Sequence, residues 1–228
     1  MKADDRLHYG GTPLKDNSAT YAARDAFASS LGTVSPDVLA PLINPSLMGG
    51  PAWPDLRQAW RVIRRTSGIA IMSDGLADPF DDTDEPNCGF ELEAIAETND
   101  TLPTQLEASW LFDLVYGISQ QCAHHGGVAE IVDDLGVVSL ELPVGESLKA
   151  LATENERVGV LLGVEADNIP RYIELPGGTA LIMTATLILP SELEFIIANG
   201  QEGRTHLARR LAEAGIHHRS SLTRASLI

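Results

Sequence analysis

Two near-continuous apolar runs, "RVGVLLGV" (157–164) and "TALIMTATLILP" (179–190), constrain the fold most. Neither alternates, so neither can lie with one face in water. Runs of this length and β-branched content read as strands buried on both faces. A chain carrying two such strands must cover a sheet with helices, and 228 residues suffice for that core.

The other segments follow from local signals. Ser18 is placed to cap a helix running to Leu31 and stopped by Gly32. Five prolines (36, 41, 45, 51 and 54) make 32–56 a long ordered loop. "QAWRVIRR" (58–65) and "GIAIMS" (68–73) read as strands joined at Thr66-Ser67, and "VVSLEL" (137–142) as another. "FELEAIAE" (90–97) alternates, which puts Phe90, Leu92, Ala94 and Ala96 on a packed face and Glu91, Glu93 and Glu97 on a wet one, with Ile95 as the exception.

T-Q-L-E at 104–107 is a capping box for a helix with an apolar stripe of Leu106, Trp110, Leu111, Leu114, Val115, Ile118 and Cys122, ending near "HHGG". Ser191 and Glu194 form a second capping box, followed by helices that end at Gly200 and Gly215. The expected fold class is α/β or α+β, one domain with a mixed β-sheet covered by helices. Its expected limits are a loosely ordered extension 1–17, the domain 18–218 and a basic tail 219–228.

Charge is distributed unevenly. The net formal charge is −16, and the 83 residues between Arg65 and Lys149 contain 17 Asp or Glu and no Lys or Arg. Residues outside this block are close to neutral. Nucleic acid and anionic membranes are poor partners for such a surface, whereas a basic protein would be steered toward it. No apolar run reaches membrane-spanning length, and two distant cysteines without a C-x-x-C point to a reducing cytoplasm. The densest carboxylates lie in "SDGLADPFDDTDEPNCGFELEAIAET" (73–98).

That segment lacks the D-x-D-x-D-G frame of a calcium loop. His124-His125 and His217-His218 lack metal-ligand spacing, Ser119 falls within a helix rather than at a nucleophile elbow, and no phosphate-binding glycine loop occurs. No cofactor or metal is expected. A carboxylate pair acting as acid and base could be concealed among so many acids. The better expectation is a partner surface made of Asp78, Asp81, Asp82, Asp84 and Glu85, with Asp74 and Glu91 serving the fold.

"SDGLADPF" followed by "GFELEAIAE", preceded by "NPSLMGGPAWPDLRQAWRVI" and closed by "ATLILPSELEFIIANGQEGRTHLARRLAEAGI", resembles the Suppressor of fused domain family over residues 35 to 218. The resemblance implies a mixed-sheet domain without catalytic activity that acts by binding proteins. Eukaryotic members restrain a transcription factor, and many bacterial ones look like immunity proteins that neutralise a toxin. A bacterial immunity protein with a basic, nuclease-type toxin as partner is therefore expected. A regulatory binding domain unrelated to toxins and a carboxylate hydrolase are the alternatives.

Overall fold

The computed structural model describes residues 17–55 and 57–228. The proposed extension 1–17 lies outside them except for Asn17. An eight-stranded mixed sheet runs in the order β1-β2-β3-β4-β8-β6-β5, with β7 pairing to β8. The strands are β1 (Thr33–Val34), β2 (Trp60–Arg65), β3 (Gly68–Ser73), β4 (Leu92–Thr98), β5 (Val138–Pro143), β6 (Arg157–Leu162), β7 (Tyr172–Leu175) and β8 (Gly178–Leu187). The helices are α1 (Ser18–Leu31), α2 (Trp110–His125), α3 (Val128–Leu135) and α4 (Pro190–Glu213), the last interrupted at Gly200, whose φ is 58°.

The ten-residue β8 explains its own apolar sequence. Leu181–Thr184 pairs in parallel with β4, Gly178–Leu181 pairs with β7, and Ala185–Leu187 pairs with β6. It thus has strand neighbours on both edges and helices on both faces. On one face α2 presents Trp110, Leu111, Leu114, Val115, Ile118 and Cys122 to Trp60, Val62, Ile71, Leu92, Ala94, Met183 and Val160. The opposite face is shared. α1 packs Ala28 near Ile63, Met72, Ile95 and Ile182, while α4 packs Leu193, Ile196, Leu207 and Leu211 near Leu161 and Ile188. The expectation of one mixed-sheet domain covered by helices therefore holds.

Four local expectations are corrected. The Glu face of β4 is not wet: Glu93 and Glu97 are fully buried, because this face lies under α1 and the C-terminal segment. Ile95, the exception in the alternation, is a core residue of that second face. α2 begins at Trp110 rather than near Thr104. Ser109 Oγ accepts from Phe112 N, and residues 106–108 form a separate 3-10 turn. α4 begins one residue before the expected capping box. Pro190 is its first residue, and Glu192 Oε2 accepts from Leu189 N at 2.9 Å. α3 and β7 had no sequence signal strong enough to be expected.

Candidate partner-binding site

The second sheet face carries polar side chains interspersed with apolar ones such as Ile63 and Ile95. Arg61 and Arg65 come from β2, Glu93 and Glu97 from β4, and Thr184 and Thr186 from β8. Charges cannot be buried there without partners. Two clusters supply them.

The first lies beneath α1. Arg24 is fully buried, with Nη1 at 2.7 Å from Asp78 Oδ1 and 3.1 Å from Glu93 Oε1, and Nε at 3.1 Å from Asp74 Oδ1. Arg57 and Arg61 reach Asp74 Oδ2 at 2.6 and 2.9 Å from the outer side. Glu93 Oε1 also accepts from Gly75 N and Ala77 N at 3.0 and 3.2 Å, and Ser73 Oγ donates to its other oxygen. One helix arginine therefore gathers carboxylates from three places in the acidic segment and fixes where residues 74–78 run. Burial alone would lower the Arg24 pKa, but Glu93, Asp74 and Asp78 outweigh it and raise it. Burial pushes Glu93 up to about 7, against the pull of Arg24, and raises Asp78 too.

The second cluster lies under the C-terminal segment. His218 Nε2 is 3.0 Å and Arg65 Nε 3.2 Å from Glu97 Oε2, and Ser67 Oγ donates to Glu97 Oε1 at 2.5 Å. Burial would raise the Glu97 pKa, but His218, Ser67 and Arg65 together lower it.

These directions have opposite consequences for stability. Glu93 takes up its proton more readily folded, near 7, than at its ordinary 4.5, so stability rises as pH falls from 7 toward 4.5 and is penalised above 7. Glu97 contributes stability above its ordinary 4.5, and that contribution is lost as pH falls through its lowered folded value. Urea unfolding across the pH range should show Glu93→Gln removing on the order of 2 kcal/mol of the stability lost between about pH 5 and 8. An unchanged pH profile would contradict the burial of this carboxylate.

Above the buried root the acidic segment turns outward. Gly89 has a φ of +54°, and a Cβ there would fall 2.3 Å from Asp78 O, so only glycine fits. Asn87 closes the loop: its Oδ1 accepts from Phe80 N at 2.8 Å and Gly89 N at 3.1 Å, and its Nδ2 donates to Glu85 O at 3.2 Å. Phe80 and Phe90 stack edge-on at 5.3 Å. On this frame Asp81, Asp82, Asp84 and Glu85 are all exposed.

The structure thus divides the five expected contact residues. Four share an exposed crest. Asp78 is fully buried, because Arg24 draws it inward; it positions the loop and cannot touch a partner. Asp74 is buried in the same root, and Glu91 stands outward.

α3, which was not expected, brings three further acids beside Glu91. Glu91, Glu130, Asp133 and Asp134 border one concavity of about 310 Å³, with Asp133 also accepting from Arg171 and Tyr172. The G-G break before "VAEIVDDL" was the available signal for that helix. A larger cavity of about 370 Å³ lies between 163–171 and the end of α4, where His217 Nδ1 is 2.8 Å from Asp167.

Among the described residues, no group of three or more His, Cys, Asp or Glu side chains is arranged to hold a metal, and no helix is long and apolar enough to cross a membrane. Cys88 and Cys122 are free and buried.

The basic tail does not shield the crest. Arg224 pairs in two-pronged fashion with buried Glu192 at 2.5 Å for each oxygen, and Arg219 donates to Gly215 O. Leu187 N donates to Ser220 Oγ, Ser220 N to Glu97 O, and Ser221 Oγ and Leu222 N to Asp100.

No family model matches the sequence, and no curated protein matches it. Among solved structures, the fold is similar to that of Drosophila Suppressor of Fused, with a TM-score of 0.52 and 17% identity over 92% of this chain. The chain spans about half the length of that protein. It therefore has a Suppressor-of-fused-like fold.

Proposed function

We propose that this domain is a non-enzymatic binding module that takes a basic protein partner in stoichiometric complex. The carrying observation is the exposed crest of Asp81, Asp82, Asp84 and Glu85 held on a buried, ion-paired root. Clustered carboxylates on a fixed frame can receive Arg and Lys from a partner with little ordering cost, and they speed encounter. The Suppressor-of-fused-like fold supports a protein-binding role through the family resemblance of the sequence. Within that role we place the domain as a cytoplasmic bacterial immunity protein whose partner is a basic toxin of nuclease type. The acid excess and the free, buried cysteines favour this finer reading.

Capture from source-cell lysate with the whole chain as bait, eluted by a salt gradient, tests the reading. A basic protein should leave at moderate salt and be missing when the crest is neutralised by Asp81→Asn, Asp82→Asn, Asp84→Asn and Glu85→Gln. The same proteins retained equally by both baits would contradict it. A toxin gene adjoining this one would separate the immunity role from other regulatory binding.

A further inference from the structure

Residues 38–54, "VLAPLINPSLMGGPAWP", contain no charged side chain, although Asp37 and Asp55 flank them. Half of the exposed large apolar side chains among the described residues fall in this one stretch: Val38, Leu42, Ile43, Leu47 and Met48. Leu47 and Met48 are each 76% exposed and Leu42 is fully so. Isolated exposed leucines need no explanation, but a concentration of this kind marks an interaction surface.

The loop is held in place. Leu39 and Trp60 exchange backbone hydrogen bonds at 2.8 Å, Asn44 Oδ1 accepts from Ser46 N at 2.9 Å, and Gly50 N donates to Pro45 O at 2.9 Å. Gly49 supplies the positive φ of 85° that ends the 3-10 turn, and Gln58 Nε2 donates to Pro51 O at 2.9 Å. The apolar side chains are therefore displayed on a preformed frame, which lowers the ordering cost of binding.

The stretch ends against the root of the acidic loop. A Cβ on Gly75 would meet the Trp53 ring at 3.1 Å, and one on Gly89 would meet Pro54 at 2.6 Å. The uncharged stretch and the acidic loop therefore meet at Trp53 and Pro54.

Resting on the binding role proposed above, we infer that residues 38–48 form the apolar half of the docking surface, and that the segment they receive is amphipathic, with an apolar face bordered by Lys or Arg. The acidic crest selects the sign of the border, and the leucines and Met48 supply the desolvated centre. Met48 adds an adaptable contact. A second copy of this chain fits poorly, because it would bring another net charge of −16 against the first.

The test uses the whole chain and a short amphipathic helical peptide of Leu and Lys as probe, with a Leu and Glu peptide of the same apolar face as control. The Leu/Lys peptide should bind, and the control at least about tenfold more weakly. Leu42→Ser, Leu47→Ser and Met48→Ser together should weaken the first complex by about tenfold or more, with the thermal midpoint unchanged because these side chains are exposed. Equal binding by this variant and the wild type overturns the docking surface. If the same variant still captures a basic protein from lysate, the binding role stands without it; if the wild type captures none, that role falls as well. A wild-type dimer lost in the variant, or binding to phosphatidylcholine vesicles lost in the variant, would assign the loop to a second copy or to lipid and overturn the inference.

Discussion

Replacing Arg24 by alanine is expected to lower stability by about 3–5 kcal/mol, as is usual when one member of a buried ion network is removed. For a domain of this size that corresponds to a fall of roughly 10 °C in thermal midpoint. The cause is specific: Asp74, Asp78 and Glu93 would lose the guanidinium that lies between 2.7 and 3.1 Å from all three. Two of these carboxylates already titrate above their ordinary values because of burial. Adding Asp78→Asn and Glu93→Gln to the alanine variant should recover about 1–2 kcal/mol, since the stranded charges are gone. No recovery would place the whole cost in lost packing of α1. Hydrogen exchange should also show residues 74–89 opening in the single variant, because Arg24 is what ties α1 to that segment.

Deleting residues 217–228 should have an effect of similar or greater size. The deletion removes His218 from Glu97 and Arg224 from Glu192, leaving two fully buried carboxylates with fewer partners. It also uncovers Thr186 Oγ1, which donates to His218 O, and Leu187 N, which donates to Ser220 Oγ. Glu192 loses its arginine altogether, while Glu97 keeps Arg65 and Ser67. With the backbone groups uncovered as well, the loss should reach about 5 kcal/mol, the low end of the stability of an ordinary domain. The shortened chain is expected to be largely unfolded by circular dichroism at neutral pH. Deleting only 225–228 keeps both ion pairs and should cost far less. Equal loss in both truncations would contradict the role given to His218 and Arg224.

Both predictions rest on contacts that no local pattern shows. Six of the eight strands, the apolar face of α2 and the Gly200 break were legible, because each depends on periodicity or a single glycine. The polar face of β4 was misread for a physical reason. Alternation reports that two faces differ, but what covers the second face is set by α1 and the C-terminal segment, which lie 69 and 121 residues away from their partners. Nothing local in the sequence marks Arg24 in its helix, or Arg224 in the tail 219–228, as the partner of a buried carboxylate. Asp78 and Asp81 are three residues apart in one acidic run, yet one is buried and the other exposed. The exposure of the four crest carboxylates follows from the turn set by Asn87 and Gly89, which leaves them outside.

The binding role proposed above makes the crest, not the net charge as a whole, the recruiter of a basic partner. Its most direct test is the association rate of the captured partner as a function of ionic strength, measured for the wild type and for the crest-neutralised chain. The neutralised chain should associate at least about tenfold more slowly at low salt, with a flatter salt dependence and an unchanged thermal midpoint. The same rate and the same salt slope for both proteins would contradict the claim.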